Sequence, residues 1–283
     1  MAEIWKGAPV ADALTEELKE RAGKLKVAGI VPCLAVLRLG DDPSAISYER
    51  GILKRCEKVG IEVRHYLLSE LCEDEELFAT LCEINEDEKI HGCIFFRPLK
   101  DKAQERMLCE LLKPAKDVDC ATSGSLAAVF SGEGEGYAPC TAEAVVQMLK
   151  FYGEELRGKN IAVIGRSLVI GRPVSMLLQR ENATVTMCHS KTRNTEEICA
   201  ASDIIVAAAG RAGLVGEGYA SANSVIIDVG INVDEQGRLC GDADFDALEP
   251  LCRAITPVPG GVGAVTTAIL AKHVIEAAEK HLK

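Results

Sequence analysis

Two stretches of the chain carry residue types suited to binding a phosphorylated ligand. In GKNIAVIGRSLVIGRPVSMLLQ an apolar run leads into a turn that begins at Gly165, and a helical pattern starts near Gly171. Glycines at such a turn let backbone amides approach a phosphate, and the helix N-terminus that follows favours negative charge. The spacing is Gly, five residues, Gly, which departs from G-x-G-x-x-G, so the same glycines also suit plain close packing of strand on helix. The next apolar run ends TVTMCHSKT, where a Rossmann domain for NAD places an Asp or Glu for the ribose 2′-hydroxyl. No acid stands there. Ser190 and Lys191 do, and Arg166 projects from the glycine turn. That set suits a 2′-phosphate and points to NADP, against the plainer alternative of a solvated basic surface. Residues 207–210 and 230–232 fall just beyond two further apolar runs, on the side where ligands of doubly wound sheets bind. Cys188 and His189 suggest no metal, because strand neighbours point to opposite faces and no second ligand pair is in view.

The elements that must position these groups follow an α/β pattern. Short runs rich in β-branched residues at 33–39, 62–68, 91–96, 160–164, 184–188, 203–208 and 224–229 alternate with longer helical stretches, the mark of parallel sheets. Val10, Leu14 and Leu18 share one helical face. The clearest break is SGEGEGYAP, residues 131–139, where Gly and Glu interrupt the apolar pattern. The expected architecture is therefore two α/β domains, residues 1–138 and a Rossmann-like domain over 139–265. A final helix, about 266–283, follows the PGGVG turn and is expected to return to the first domain.

At 283 residues with 48% hydrophobic and 27% charged composition, the chain can bury two cores. Its formal net charge of −11 argues against nucleic acid and acidic membrane surfaces as partners. The first twenty residues mix acids and bases without an apolar core, unlike a signal peptide. The 12 cysteines are scattered singly with no C-x-x-C, which suits a reducing cytoplasm better than a disulfide framework.

In order along the second half stand PCTAEAV, GRSLVIGRP, TVTMCHSKT, SVIIDVGIN, GDADF and ITPVPGGVGAVT. Together they resemble the NADP-binding half of the methylenetetrahydrofolate dehydrogenase/cyclohydrolase (FolD) family. In the first half, LRLGDDPSAISYERGILKRCEKVGI is similar to the family's folate-binding strand and helix. The resemblance implies an N-terminal folate-binding domain, a C-terminal NADP domain, a folate cleft between them and a homodimer formed through the cofactor domain. It implies that Gly165, Arg166, Ser167 and Gly171, with Ser190, Lys191, Gly210 and Ile231, hold the cofactor. Tyr48, Asp119, Pro259, Gly260 and Gly261 would meet a tetrahydrofolate one-carbon derivative.

The first half departs from the family pattern at three places. Four residues after Tyr48 the family carries a lysine that assists the cyclohydrolase step, and this chain has Ile52. The family glutamine that supports the lysine is matched by Phe96, followed by Arg97, and KDVDG becomes Lys116, Asp117, Val118, Asp119 and Cys120. Hydration of a methenyl cation needs an oriented donor or proton shuttle, which an aliphatic side chain does not supply. Lys54 lies about 200° around the helix from position 52, and Arg55 stays charged at any working pH. The expectation is a dehydrogenase with weak or lost cyclohydrolase activity. The alternatives are a catalytically silent paralogue in a regulatory role and a dehydrogenase for another small substrate.

Overall fold

The computed structural model describes residues 1–99 and 101–282. The first half runs β1 (Glu3–Ile4), α1 (Gly7–Val27), β2 (Cys33–Leu39), α2 (Pro43–Val59), β3 (Glu62–Leu68), α3 (Asp74–Glu86), β4 (Gly92–Phe95), α4 (Lys102–Leu111) and α5 (Ser123–Ser131). The second runs α6 (Cys140–Phe151), β5 (Asn160–Ile164), α7 (Gly171–Arg180), β6 (Thr184–Cys188), α8 (Thr195–Ala200), β7 (Ile204–Ala207), β8 (Val225–Asp228), β9 (Asn232–Val233), β10 (Leu239–Cys240), α9 (Phe245–Leu248), β11 (Ala254–Ile255) and α10 (Thr266–Glu279). Two compact units result. One comprises Met1–Ala11 with Thr141–Thr266, and the other Asp12–Cys140 with the residues from Thr267 onward.

In the unit that begins at Asp12, three parallel strands lie in the order β3-β2-β4. β2 reads CLAVLRL and is apolar at nearly every position, as a parallel strand covered on both faces requires. Cys33, Ala35 and Leu37 pack with Leu77, Leu81 and Ile84 of α3 and Leu108 of α4. Leu34 and Val36 are buried on the opposite face. α2 starts where Asp42 accepts the Ala45 N–H at 2.9 Å and Pro43 occupies the first turn. It stops at Gly60, whose φ of +90° suits glycine.

The other unit is a six-stranded sheet in the order β1-β11-β8-β7-β5-β6, with every pair parallel. The chain leaves β5 to one side for β6 and to the other for β7 and β8, so β5 and β7 bracket a topological switch point. The strand order and parallel pairing make this sheet Rossmann-like. β9 and β10 form a separate antiparallel hairpin. The two-residue strands β1 and β11 were not expected from the sequence, because so short a segment carries no readable period. Among the described residues no helix is long and apolar enough to cross a membrane.

Candidate functional site

α2 brings Tyr48 to the C-terminal ends of the three parallel strands of its unit. The Tyr48 and Phe96 rings meet edge to face, centroids 6.0 Å apart at 62°. Ile52, one turn on from Tyr48, belongs to the buried stripe of α2 with Glu49, Cys56 and Val59 and is only 1% exposed. It is a core side chain. Lys54 is exposed, in keeping with its place away from that stripe. Arg55 is occupied within the same unit: its Nε lies 3.4 Å from Thr267 Oγ1, and its Nη1 donates to Thr15 Oγ1.

The two aspartates of KDVD have different surroundings. Asp117 is buried and accepts from the N–H groups of Ala121 and Thr122, at 2.7 and 2.8 Å, and from Ser125 Oγ at 2.6 Å. Its lone pairs serve the turn into α5. Asp119 accepts the Cys140 N–H at 3.0 Å through Oδ1, which leaves acceptor capacity for a ligand. Burial pushes its carboxyl above the usual carboxylate range, opposed by the Cys140 hydrogen bonds and by the charges of Arg97 and His273. Lys116 instead closes the end of α3, donating at 2.7 Å to the carbonyls of Ile84 and Asp87.

In the other unit the glycine turn is required by close packing. A Cβ on Gly165, whose φ is +132°, would lie 2.1 Å from the Ala208 carbonyl oxygen, and one on Gly171 would lie 2.2 Å from the Gly165 carbonyl oxygen. Both glycines thus meet the demand that the packing alternative named. Ligand-binding capacity rests on what the turn displays. Arg166 and Ser167 follow β5, while Ser190 and Lys191 follow the adjacent β6, and all four are exposed. Ser167 Oγ accepts the Ile170 N–H at 3.1 Å, and the turn after β6 is closed by the His189 N–H on Thr192 Oγ1 at 2.9 Å. Two basic side chains beyond neighbouring strands, with no carboxylate at the end of β6, fit a 2′-phosphate. The Gly210 N–H is committed at 2.8 Å to Asp242, which also accepts from Ala209, Arg211 and Asn232 Nδ2. Ile231 is 75% exposed beyond β8. Pro259 and Gly260 are exposed, the Gly260 carbonyl accepts the Gly7 N–H at 2.8 Å, and Gly261 is buried.

The match to known proteins covers both units. Residues 5–119 fit the catalytic domain of tetrahydrofolate dehydrogenase/cyclohydrolase, and residues 139–282 fit its NAD(P)-binding domain. The chain belongs to the tetrahydrofolate dehydrogenase/cyclohydrolase family. It is 47% identical over 281 residues to the bifunctional protein FolD of Carboxydothermus hydrogenoformans, covering 99% of this chain and 98% of that one. The bifunctional FolD enzyme of Campylobacter jejuni superposes with a TM-score of 0.93 at 35% identity, over 99% of both chains. The Trypanosoma brucei FolD, solved with NADP cofactor and inhibitor, gives 0.91 at 33% identity over 100% of this chain and 99% of that one. Nothing in these relationships favours the catalytically silent reading.

Within this family frame the structure joins Tyr48 to Phe96 and sets Ile52 into the core stripe beside them. Sequence reasoning missed a pair of buried carboxylates. Asp228 accepts the N–H groups of Gly230, Asp242 and Ala243 at 2.9, 3.0 and 2.8 Å. Burial, with Asp242 adding repulsion, pushes it up to about 6. Together Asp228 and Asp242 hold the loops beyond β7 and β8. Their signal lay in SVIIDVGIN and GDADF, where an acid closes an apolar strand and another follows a glycine.

Proposed function

We propose that this chain is an NADP-dependent 5,10-methylenetetrahydrofolate dehydrogenase whose methenyltetrahydrofolate cyclohydrolase activity is weak or lost. In this reading the segment 1–138, with the helix from 266, carries the folate-binding side chains, and 139–265 binds the cofactor. Arg166, Ser190 and Lys191 hold the 2′-phosphate, and Gly165, Ser167, Gly171, Gly210 and Ile231 shape the bed around the nucleotide. Bound NADP supplies a hydride acceptor. The protein's part is to hold and orient. Tyr48 gives the folate a ring face and Asp119 accepts hydrogen bonds from the pterin. Pro259, Gly260 and Gly261 provide backbone close to the substrate. Loss of a hydride from the methylene carbon leaves the methenyl cation, and no protein side chain has to gain or lose a proton in that step.

The relatives named above are bifunctional, and the departure proposed here rests on Ile52. A core isoleucine 1% exposed offers neither a donor nor a proton carrier to an attacking water. Phe96 sets an apolar ring against Tyr48 where the family resemblance expects an amide.

The test mixes purified protein with methylenetetrahydrofolate and NADP, then NAD, and follows NADPH and methenyl absorbance separately. NADPH and the methenyl product should accumulate together, and added methenyl substrate should decay at the buffer rate. Charge-assisted bonds to the 2′-phosphate, about 2–4 kcal/mol, correspond to a roughly 30- to 1,000-fold preference for NADP. Absence of reduced cofactor sinks the dehydrogenase reading. Equal or tighter NAD binding sinks the cofactor assignment, and methenyl loss as fast as turnover sinks the loss of cyclohydrolase.

A further inference from the structure

The inward stripe of α2 is not wholly apolar, because Glu49 lies in it with Ile52, Cys56 and Val59. Its carboxylate is held on two sides. Oε2 accepts from Arg38 Nε at 2.8 Å, and Oε1 lies 3.1 Å from His65 Nδ1. An ionised carboxylate only accepts, so Nδ1 of His65 carries the proton in this pair. The Arg38 and Glu49 side chains are 8% and 9% exposed. Arg38 Nη1 also donates to the Gly40 carbonyl and lies 3.1 Å from Asp41 Oδ1. One guanidinium therefore ties α2 both to the sheet and to the loop that precedes the helix.

A buried pair of this kind contributes little net stability, since desolvation offsets the attraction, but its bonds have direction. An apolar stripe tolerates a small rotation of a helix about its axis, whereas two charge-assisted bonds from different strands resist it. Leu37 and Phe95 pack in the core on one face of the sheet, and the Phe96 N–H bonds the Leu37 carbonyl at 2.9 Å. Alternation along the strands then turns Arg38 and Phe96 to the opposite face, toward α2. His65 is in register with Val36, on that same face. His65 of β3, Arg38 of β2 and Phe96 just after β4 thus share one face of the sheet, with Glu49 bound to the first two and Tyr48 set against the third.

We propose that Glu49, clamped by Arg38 and His65, is a positioning residue that fixes the Tyr48 ring for the substrate. The inference rests on the reading of Tyr48 as part of the folate site. In this chain a charge clamp behind α2 and an aromatic edge beside it hold the tyrosine, while positions 52 and 96 supply no polar contact.

The double change Arg38→Met with Glu49→Leu removes both charges together and keeps the core filled, so the melting temperature should stay within a few degrees. The expected result is a loss of about tenfold or more in kcat/KM for methylenetetrahydrofolate, because small misplacement of a binding group is costly. The KM for NADP should not change. In a Tyr48→Ala background the same pair of changes should cost less than about twofold, since coupled residues are not additive. Equal losses in the two backgrounds, or undiminished kcat/KM in the paired variant, overturn the proposal. If the paired variant does not fold, Glu49→Gln goes through the same cycle with the same two outcomes. Tyr48→Ala with wild-type kcat/KM would overturn the folate-site reading and the clamp with it. A damaging Tyr48→Ala with additive losses overturns the clamp alone.

Discussion

At position 52 the side chain and its surroundings must be considered together. Ile52 fills a buried stripe, so a lysine placed there alone would bury an ammonium without a partner, at a cost of several kcal/mol or a lowered lysine pKa. Ile52→Lys should therefore lower the melting temperature and raise methenyl hydrolysis little. Adding Phe96→Gln supplies an amide, and the double variant should hydrolyse faster than either single one, measured as decay of methenyl absorbance. Equal rates in the three variants would count against Ile52 and Phe96 as the cause of a weak hydrolase. Asp119 makes a different prediction. In the proposed reading its ionised form accepts from the pterin, and burial raises the pKa of its carboxyl. Folate binding should be full well above that raised pKa and weaken as pH falls through it, at a higher pH than an ordinary carboxylate would show. Asp119→Asn should weaken binding and flatten this dependence, checked by KM for the folate between pH 5 and 8. A wild-type profile unchanged by the substitution would remove Asp119 from the site.

Between elements, Asp242 is the brace of the cofactor side. Fully buried, it gathers three backbone N–H groups from residues 209–211 and the Asn232 amide. Asp242→Ala leaves these donors without their acceptor, and hydrogen bonds to a charged group are worth about 1.5–3 kcal/mol each. The expected outcome is a loss of at least about 3 kcal/mol in urea unfolding, with weaker NADP binding. Unchanged cofactor affinity would show that the loop's shape does not govern the site. The glycine turn after β5 works by a related principle. Gly165 and Gly171 are set by contact with neighbouring carbonyl oxygens, so their first role is to let β5 and α7 approach. In the proposed reading the basic side chains after β5 and β6 then hold the phosphate.

For the molecule as a whole, the homodimer implied by the family resemblance should give a light-scattering mass about twice the 30.3 kDa of one chain. A single-chain mass at micromolar concentration would refute it. The net charge of −11 and the local cations Arg166 and Lys191 work at different ranges. The overall charge disfavours polyanions, whereas two basic groups within a contact of a phosphate act almost unscreened. Raising the salt concentration should therefore weaken NADP binding only slightly, checked by titrating the cofactor at rising ionic strength, and a steep loss would count against the local contact.

The sequence by itself determined the alternation of strand and helix, because apolar period is local: β2, β3, β5 and β6 have the bounds that the pattern of their residues implies. At the other expected strands the end residues fall outside the observed strand, as in Gly92–Phe95 within 91–96, since the terminal ladder bonds depend on the neighbouring strand. Motif order also carried the family, and the proposal for Tyr48, Asp119 and the basic pair rests on that order. Tertiary structure decided what the side chains do. The first eleven residues join the six-stranded sheet through β1 and β11, a pairing between segments some 250 positions apart that no local window contains. Asp117 and Asp119 look alike in KDVD, yet one is spent on the turn into α5 and the other keeps free lone pairs. Arg38 and Glu49 are unremarkable in LRLGDDPSAISYERG until the strand and helix that carry them are packed. Burial then makes each the other's obligatory partner, because an unpaired charge in that place would be too costly to keep.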